Sequence, residues 1–299
     1  MIFKVGVGNI RIAGLLFLVF VLLAAGTVYG LLNSLLVFNT AQENYQINQG
    51  LMPPEERVEK PLFDNKTGIG SSPGQLYGLK RDVPVLMYHE IGSPRGKYKE
   101  LYVEPDVFTS QLNWLRENGF STVSLQEVYD HWKHGNKLPD NPVVITFDDG
   151  YRSMYETVLP LLKERDMRAT FFIVAGYSDS PQSVSNDMIA AMSESGMEIG
   201  CHTYSHADLT ITPENRLRHQ LGDSKAALER IIDKPVNFLA YPAGRFDNNV
   251  AKNVEKYGYK GAVTTLYGLT SYDQNQYMWK RIRINNSDGL QGMINKLNK

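Results

Sequence analysis

"NPVVITFDDG", residues 141–150, decides how this chain folds. Four of the five residues from Val143 to Phe147 are apolar, the pattern of a strand buried on both faces. Two carboxylates, Asp148 and Asp149, then stand side by side before Gly150. Adjacent like charges repel, and a strand end beside a core desolvates them. A cation would absorb that charge, one carboxylate binding it and the other left free as a base.

Outward from this strand, short apolar runs alternate with amphipathic stretches from Val83 onward. The candidate strands are "VPVLMYH", "STVSL", "VVITF", "ATFFIVA", "MEIGC", "NFLAY", "GAVTT" and "RIRI". Phe108, Leu112 and Leu115 recur at helical spacing after Pro105, with Gly119 ending that helix. Tyr155, Leu159 and Leu162 repeat the pattern after Asp149. Thr212 reads as an N-cap with Pro213 at the first helical position, opening a helix to about Ile232. Strands alternating with helices predict a parallel sheet. The fold class is α/β, a distorted (β/α) barrel of seven or eight strands. An open doubly wound sheet is the alternative, but no Gly-rich phosphate turn supports a nucleotide-binding version.

In such a barrel the reactive face lies at the C-terminal strand ends. Asp148 and Asp149 sit at one. "MEIGCHTYSHADLT" puts His202 and His206, four residues apart, at another. Two imidazoles and one carboxylate, with positions open for water, make the ligand shell of a metal hydrolase. An Asp-Asp-Gly turn is commonly only a turn, and H-x-x-x-H is commonly a solvated helix face. Their coincidence in successive strand–helix units is what points to chemistry.

With "TFDDG", "HTYSH" and "YPAG" all in place, residues 83 to 290 resemble the polysaccharide deacetylase superfamily, the NodB-homology domain of carbohydrate esterase family 4. The resemblance implies Asp148 as catalytic base and Asp149, His202 and His206 as metal ligands. It implies a divalent metal: zinc first, with cobalt or nickel as alternatives. It also puts Ala243 and Tyr241 at the substrate and oxyanion position, the Ala243 N–H serving without need of a particular side chain. The family's third motif is Arg-x-Pro-x-Gly, and here Ala240 replaces the arginine that holds the base. Arg281, Arg283 and Arg245 are the candidate replacements. The late Leu-x-x-His motif that supplies the general acid is missing too, since no histidine follows His219. His89, at the end of the first barrel strand, is the candidate. The subgroup of extracellular poly-N-acetylglucosamine deacetylases looks similar in its Tyr-His segment, "AYP" and final "RI" strand.

The remaining residues bound the setting. From Ile12 to Gln42 no residue is charged, and "IAGLLFLVFVLLAAGTVYGLLNSLLVF" exceeds the ~20 residues that span a bilayer. Lys4 and Arg11 precede it, so the positive-inside rule places the rest of the chain outside the cell. A cleaved signal peptide is the rival, but its apolar region runs only ~7–15 residues. The reading is thus residues 1–38 as a transmembrane signal anchor, 39–81 as a flexible extracellular linker and 82–299 as the deacetylase domain. This gives a single-pass protein of a bacterial cell membrane. With 31 basic and 32 acidic residues there is no basic excess for nucleic acid. Cys201 is the only cysteine, so no intramolecular disulfide is possible, and it reads as packing. His131 and His134 read as solvated at a polar helix end. Tyr267, Tyr272 and Trp279 suit either sugar stacking or core packing.

The expected function is metal-dependent removal of N-acetyl groups from an N-acetylglucosamine polymer, an exopolysaccharide or else peptidoglycan. The alternatives are a carbohydrate O-acetyl esterase and a binding protein that has lost catalysis.

Overall fold

The computed structural model describes residues 81–298, residue 179 apart. The transmembrane anchor expected over residues 1–38 and all but the last residue of the linker expected over 39–81 lie outside the described residues. Within them, no helix is long and apolar enough to cross a membrane.

Among the described residues ten strands follow in chain order: β1 (Val85–Tyr88), β2 (Glu90–Ile91), β3 (Tyr102–Val103), β4 (Ser121–Thr122), β5 (Pro142–Phe147), β6 (Thr170–Ile173), β7 (Glu198–Cys201), β8 (Phe238–Ala240), β9 (Gly261–Tyr267) and β10 (Trp279–Arg283). Strands β5 to β10 lie side by side in sequence order, and β1 pairs with both β10 and β5, so seven parallel strands close a ring. The register runs Val85 to Val144 on one side of β1 and Leu86 to Ile282 on the other. Strand β4 attaches outside the ring, along the start of β5. All eight sequence candidates therefore form strands, with seven in the barrel.

Alternation along each strand separates two cores. Leu86, Tyr88, Val143, Ile145 and Phe147 face outward and pack beneath the helices. Val85, Val144, Phe172, Phe238, Ala240, Val263 and Trp279 face inward and fill the barrel. Trp279 thus belongs to the core. The helix Leu125–His134 plugs the N-terminal end, Trp132 meeting Trp279 edge-on at 5.3 Å. Glu198, at the start of β7, accepts the N–H groups of Leu125 and Gln126 at 2.9 and 3.0 Å and so caps that plug. His131 is not solvated: it is buried with Nδ1 2.6 Å from the Asn136 carbonyl. His134 is exposed beside Asp130.

Two expected helices differ in detail. The segment after Asp149 is π-helical over Met154–Val158 before an α-turn at Leu159–Lys163. The later helix begins at Glu214 with Pro213 as its cap, because Thr212 turns its hydroxyl back to the Asp208 carbonyl at 2.6 Å. Its middle, Arg218–Asp223, widens into a π-helix before continuing to Ile232.

Candidate active site

Strand β5 builds the first half of the site. Val144 and Thr146 face the barrel interior, and Asp148 continues that register just past the strand end. There the Asp148 carboxylate is buried, and Arg281 of β10 grips it with two hydrogen bonds of 2.7 Å, one to each oxygen. Arg281 is itself fully buried and bonds the Thr264 carbonyl at 2.9 Å and the Thr146 hydroxyl at 3.0 Å. Such a fork fixes a carboxylate in both position and rotation. Burial pushes the Asp148 carboxyl up, but the Arg281 charge and hydrogen bonds more than reverse this, and it stays below the usual range.

The chain then turns through a left-handed residue, Asp149, at φ 79°. An aspartate accepts this conformation more readily than most residues. The turn brings the second carboxylate to His202 and His206, whose Nε2 atoms lie 3.3 and 3.4 Å from its Oδ1. The three donor groups fall within 4.8 Å of one another.

His202 follows β7. Its neighbour Cys201 faces outward, buried, with Sγ on the Ser224 hydroxyl at 3.2 Å, while His202 faces in. The His202 Nδ1 lies 2.8 Å from the Ala240 carbonyl. A neutral imidazole donating there presents its Nε2 lone pair to the Asp149 carboxylate. Lone pair facing carboxylate repels unless a proton or cation lies between. The other carboxylate oxygen of Asp149, Oδ2, is buried with no hydrogen-bond partner among the described residues. Two nitrogens, one carboxylate and an unsatisfied oxygen fit a divalent metal, and a backbone carbonyl orienting a ligand histidine is the usual support. Burial raises the Asp149 carboxyl, and the two histidines override it and hold it well below the usual range.

His89 reaches the same face from β1. It is buried, and its Nδ1 has no hydrogen-bond partner among the described residues. Burial lowers its pKa to about 4, with Asp149 and Asp148 pulling up and Arg283 and Arg281 pulling down. It is neutral near pH 7.

The other expected residues divide. Ala243 occupies a left-handed turn after β8 at φ 53°. Gly244 beside it must be glycine, because a Cβ there would run into the Thr265 side chain. Tyr241 does not face substrate: its ring is buried against Phe246 and its hydroxyl bonds the Tyr277 carbonyl at 3.0 Å. Alternation on β8 sends it outward. Of the three arginines, only Arg281 holds Asp148. Arg283 lies half-buried two residues beyond, near His89. Arg245 pairs with Asp208 at 2.7 Å, tying the loop after His206 to the loop after Ala243. Tyr267 is exposed at the end of β9, with its hydroxyl on the Lys296 carbonyl.

Sequence reasoning missed Asp208, Thr146 and Glu90. Burial pushes the half-buried Glu90 carboxyl to about 7, one residue past His89. Thr146 and Asp208 meet Arg281 and Arg245 only through the fold, and Glu90 pairs locally with Arg95 at 4.0 Å, so no motif spacing marks any of the three.

Comparison with known proteins agrees with this geometry. Residues 135–262 match the polysaccharide deacetylase family model. The chain is 26% identical over 251 residues to the poly-beta-1,6-N-acetyl-D-glucosamine N-deacetylase of Staphylococcus aureus, covering 75% of this chain and 86% of that protein. The solved Streptococcus pyogenes deacetylase PplD, in complex with acetate, superposes with a TM-score of 0.69 at 27% identity, over 73% of this chain and 98% of that one. The Bacillus subtilis protein YxkH, which carries a polysaccharide deacetylase name, is 32% identical over 211 residues, 70% of this chain and 73% of that one. Similarity of that extent, over a barrel of the same form, makes the chain a member of the polysaccharide deacetylase family, hydrolases acting on N-acetyl groups.

Proposed function

We propose that this protein removes N-acetyl groups from a polymer containing N-acetylglucosamine, with a divalent metal, outside the cell membrane. The observation that carries the reading is the division of labour between adjacent aspartates. Arg281 holds Asp148, while Asp149 faces two histidines.

Asp149, His202 and His206 would hold the metal, zinc first. When bound, it polarises the acetamide carbonyl and acidifies a water. Asp148, ionised at neutral pH, takes the proton that water loses as its oxygen adds to the carbonyl carbon. The Ala243 N–H would steady the oxyanion. The C–N bond then breaks, and the amine leaves with a proton. Neutral His89 has none to spare at the outset, so the proton it hands on is the one Asp148 removed. Acetic acid and a free amine result, the acid giving up its remaining proton to become acetate, and Asp148 is again ionised.

The substrate class draws support from the Staphylococcus aureus relative, named for poly-beta-1,6-N-acetylglucosamine. Placement outside the membrane rests on the uncharged run of residues 12–38. An O-acetyl ester could enter the same site. The test is acetate release by the full chain, zinc-loaded, from poly-N-acetylglucosamine oligomers and from O-acetylated xylan. Release from the first at ten times or more the rate of the second is the expected result. The reverse preference would make the protein an esterase, and release from neither would leave a binding protein.

A further inference from the structure

The turn between the two histidines is held in an unfavourable backbone. Thr203 and His206 both have positive φ, 66° and 56°. Strain of this kind persists only where surrounding contacts over-determine it. On one side, the N–H groups of Ala175 and Gly176 bond the carbonyls of Thr203 and Tyr204 at 3.1 and 2.8 Å. Gly176 must be glycine, since a Cβ would lie 2.6 Å from the Tyr204 oxygen.

On the other side the Gln220 side chain supplies the hydrogen bonds to the turn, and the His219 ring beside it packs on Tyr204 with centroids 4.0 Å apart. Gln220 is buried, and its Oε1 accepts from the backbone N–H groups of Tyr204 and Ser205 at 3.2 and 3.1 Å and from the Ser205 hydroxyl at 3.3 Å. Its Nε2 donates back to the Ser205 oxygen at 3.0 Å. Gln220 lies within the π-helical stretch Arg218–Asp223. An i→i+5 turn is rare and recurs at functional sites, where it re-aims a side chain. Here that side chain meets the midpoint of the segment joining two candidate ligands.

We propose that Gln220 is a positioning residue for the metal site: it fixes the Thr203–Ser205 turn and so the spacing and orientation of His202 and His206. The proposal rests on the metal reading above. Its physical content is that the acceptor oxygen matters, because two backbone donors inside the turn, the N–H groups of Tyr204 and Ser205, converge on it. Leucine at 220 would keep the volume and remove the acceptor. Glutamate would keep the acceptor.

The test compares wild type, Gln220→Leu and Gln220→Glu by zinc competition against a chromophoric chelator, by the visible absorption of the cobalt-loaded protein, and by kcat and KM. We expect Gln220→Leu to bind zinc at least ~10-fold more weakly, with an altered cobalt spectrum, lower kcat and unchanged KM, and Gln220→Glu to stay within about 3-fold of wild type. If Gln220→Leu does not fold, Gln220→Asn, too short to reach, takes its place with the same expectation. Wild-type zinc affinity and cobalt spectrum in the acceptor-less variant would overturn the proposal. So would equal weakness in Gln220→Glu. A wild type that binds neither metal would overturn the metal reading, and this proposal with it.

Discussion

At the scale of residues, the cation that grips Asp148 comes from β10 and not from the end of β8, where the family motif carries it. Ala240 stands where the family pattern carries arginine, and Arg281 reaches Asp148 from another strand. A fork is required, so Lys cannot replace it: one ammonium cannot bond both oxygens in fixed geometry. Arg281→Lys should therefore lose at least ~10-fold in kcat while binding metal as wild type does, read by steady-state kinetics and metal analysis. Arg281→Met should cost roughly 3–5 kcal/mol in denaturant unfolding, because it leaves Asp148 buried and unpaired. The two aspartates and two histidines were legible from type and spacing alone. Arg281 was legible only as one of three, because 133 residues separate it from Asp148 and only barrel closure joins them. Tyr241 departs from its expected place for a related reason: strand alternation, not motif membership, sets which way a side chain points.

Elements position these groups, and their boundaries were harder to read. The helices after β5 and after His206 both contain π-helical turns. Apolar periodicity averages over such an insertion, so neither was visible in sequence, and Gln220 was hidden with one of them. The plug helix shows the opposite case. Its Ser124 cap and Gly135 stop are ordinary signals, yet Glu198 from β7 also caps it. Burial pushes the Glu198 carboxyl up to about 7, with the bonds from Thr170, Leu125 and Gln126 pulling the other way. A carboxyl raised on folding is more readily protonated in the folded state. Its contribution to stability is complete below about pH 4.5 and is lost as pH rises through 7. Urea midpoints at pH 5 and pH 8 should therefore differ less for Glu198→Gln than for wild type. An identical difference would remove Glu198 from the account.

Over the whole molecule, the N-terminal end of the barrel is given to stability and the C-terminal end to chemistry. Tryptophans and valines fill the lower interior. Titratable groups from β1, β5, β7 and β10 meet at the top, and the strained residues Asp149, Thr203, His206 and Ala243 gather there. The alternation of strands and helices made this barrel readable from the sequence. The strand count stayed between seven and eight, because β4 pairs with the ring without entering it. A metal bound by the folded state alone should stabilise the molecule. Zinc at a hundredfold its dissociation constant should add about 2.7 kcal/mol, measured as a rise in Tm that Asp149→Ala abolishes.

The most direct test of the division between the two aspartates measures zinc content and acetate release on the same samples of wild type, Asp148→Asn and Asp149→Ala. One zinc per wild-type chain is expected, with turnover. Asp148→Asn should keep its zinc and lose turnover by at least ~100-fold. Asp149→Ala should show neither. Turnover by metal-stripped wild type, or an Asp148→Asn protein as active as wild type, would contradict that division.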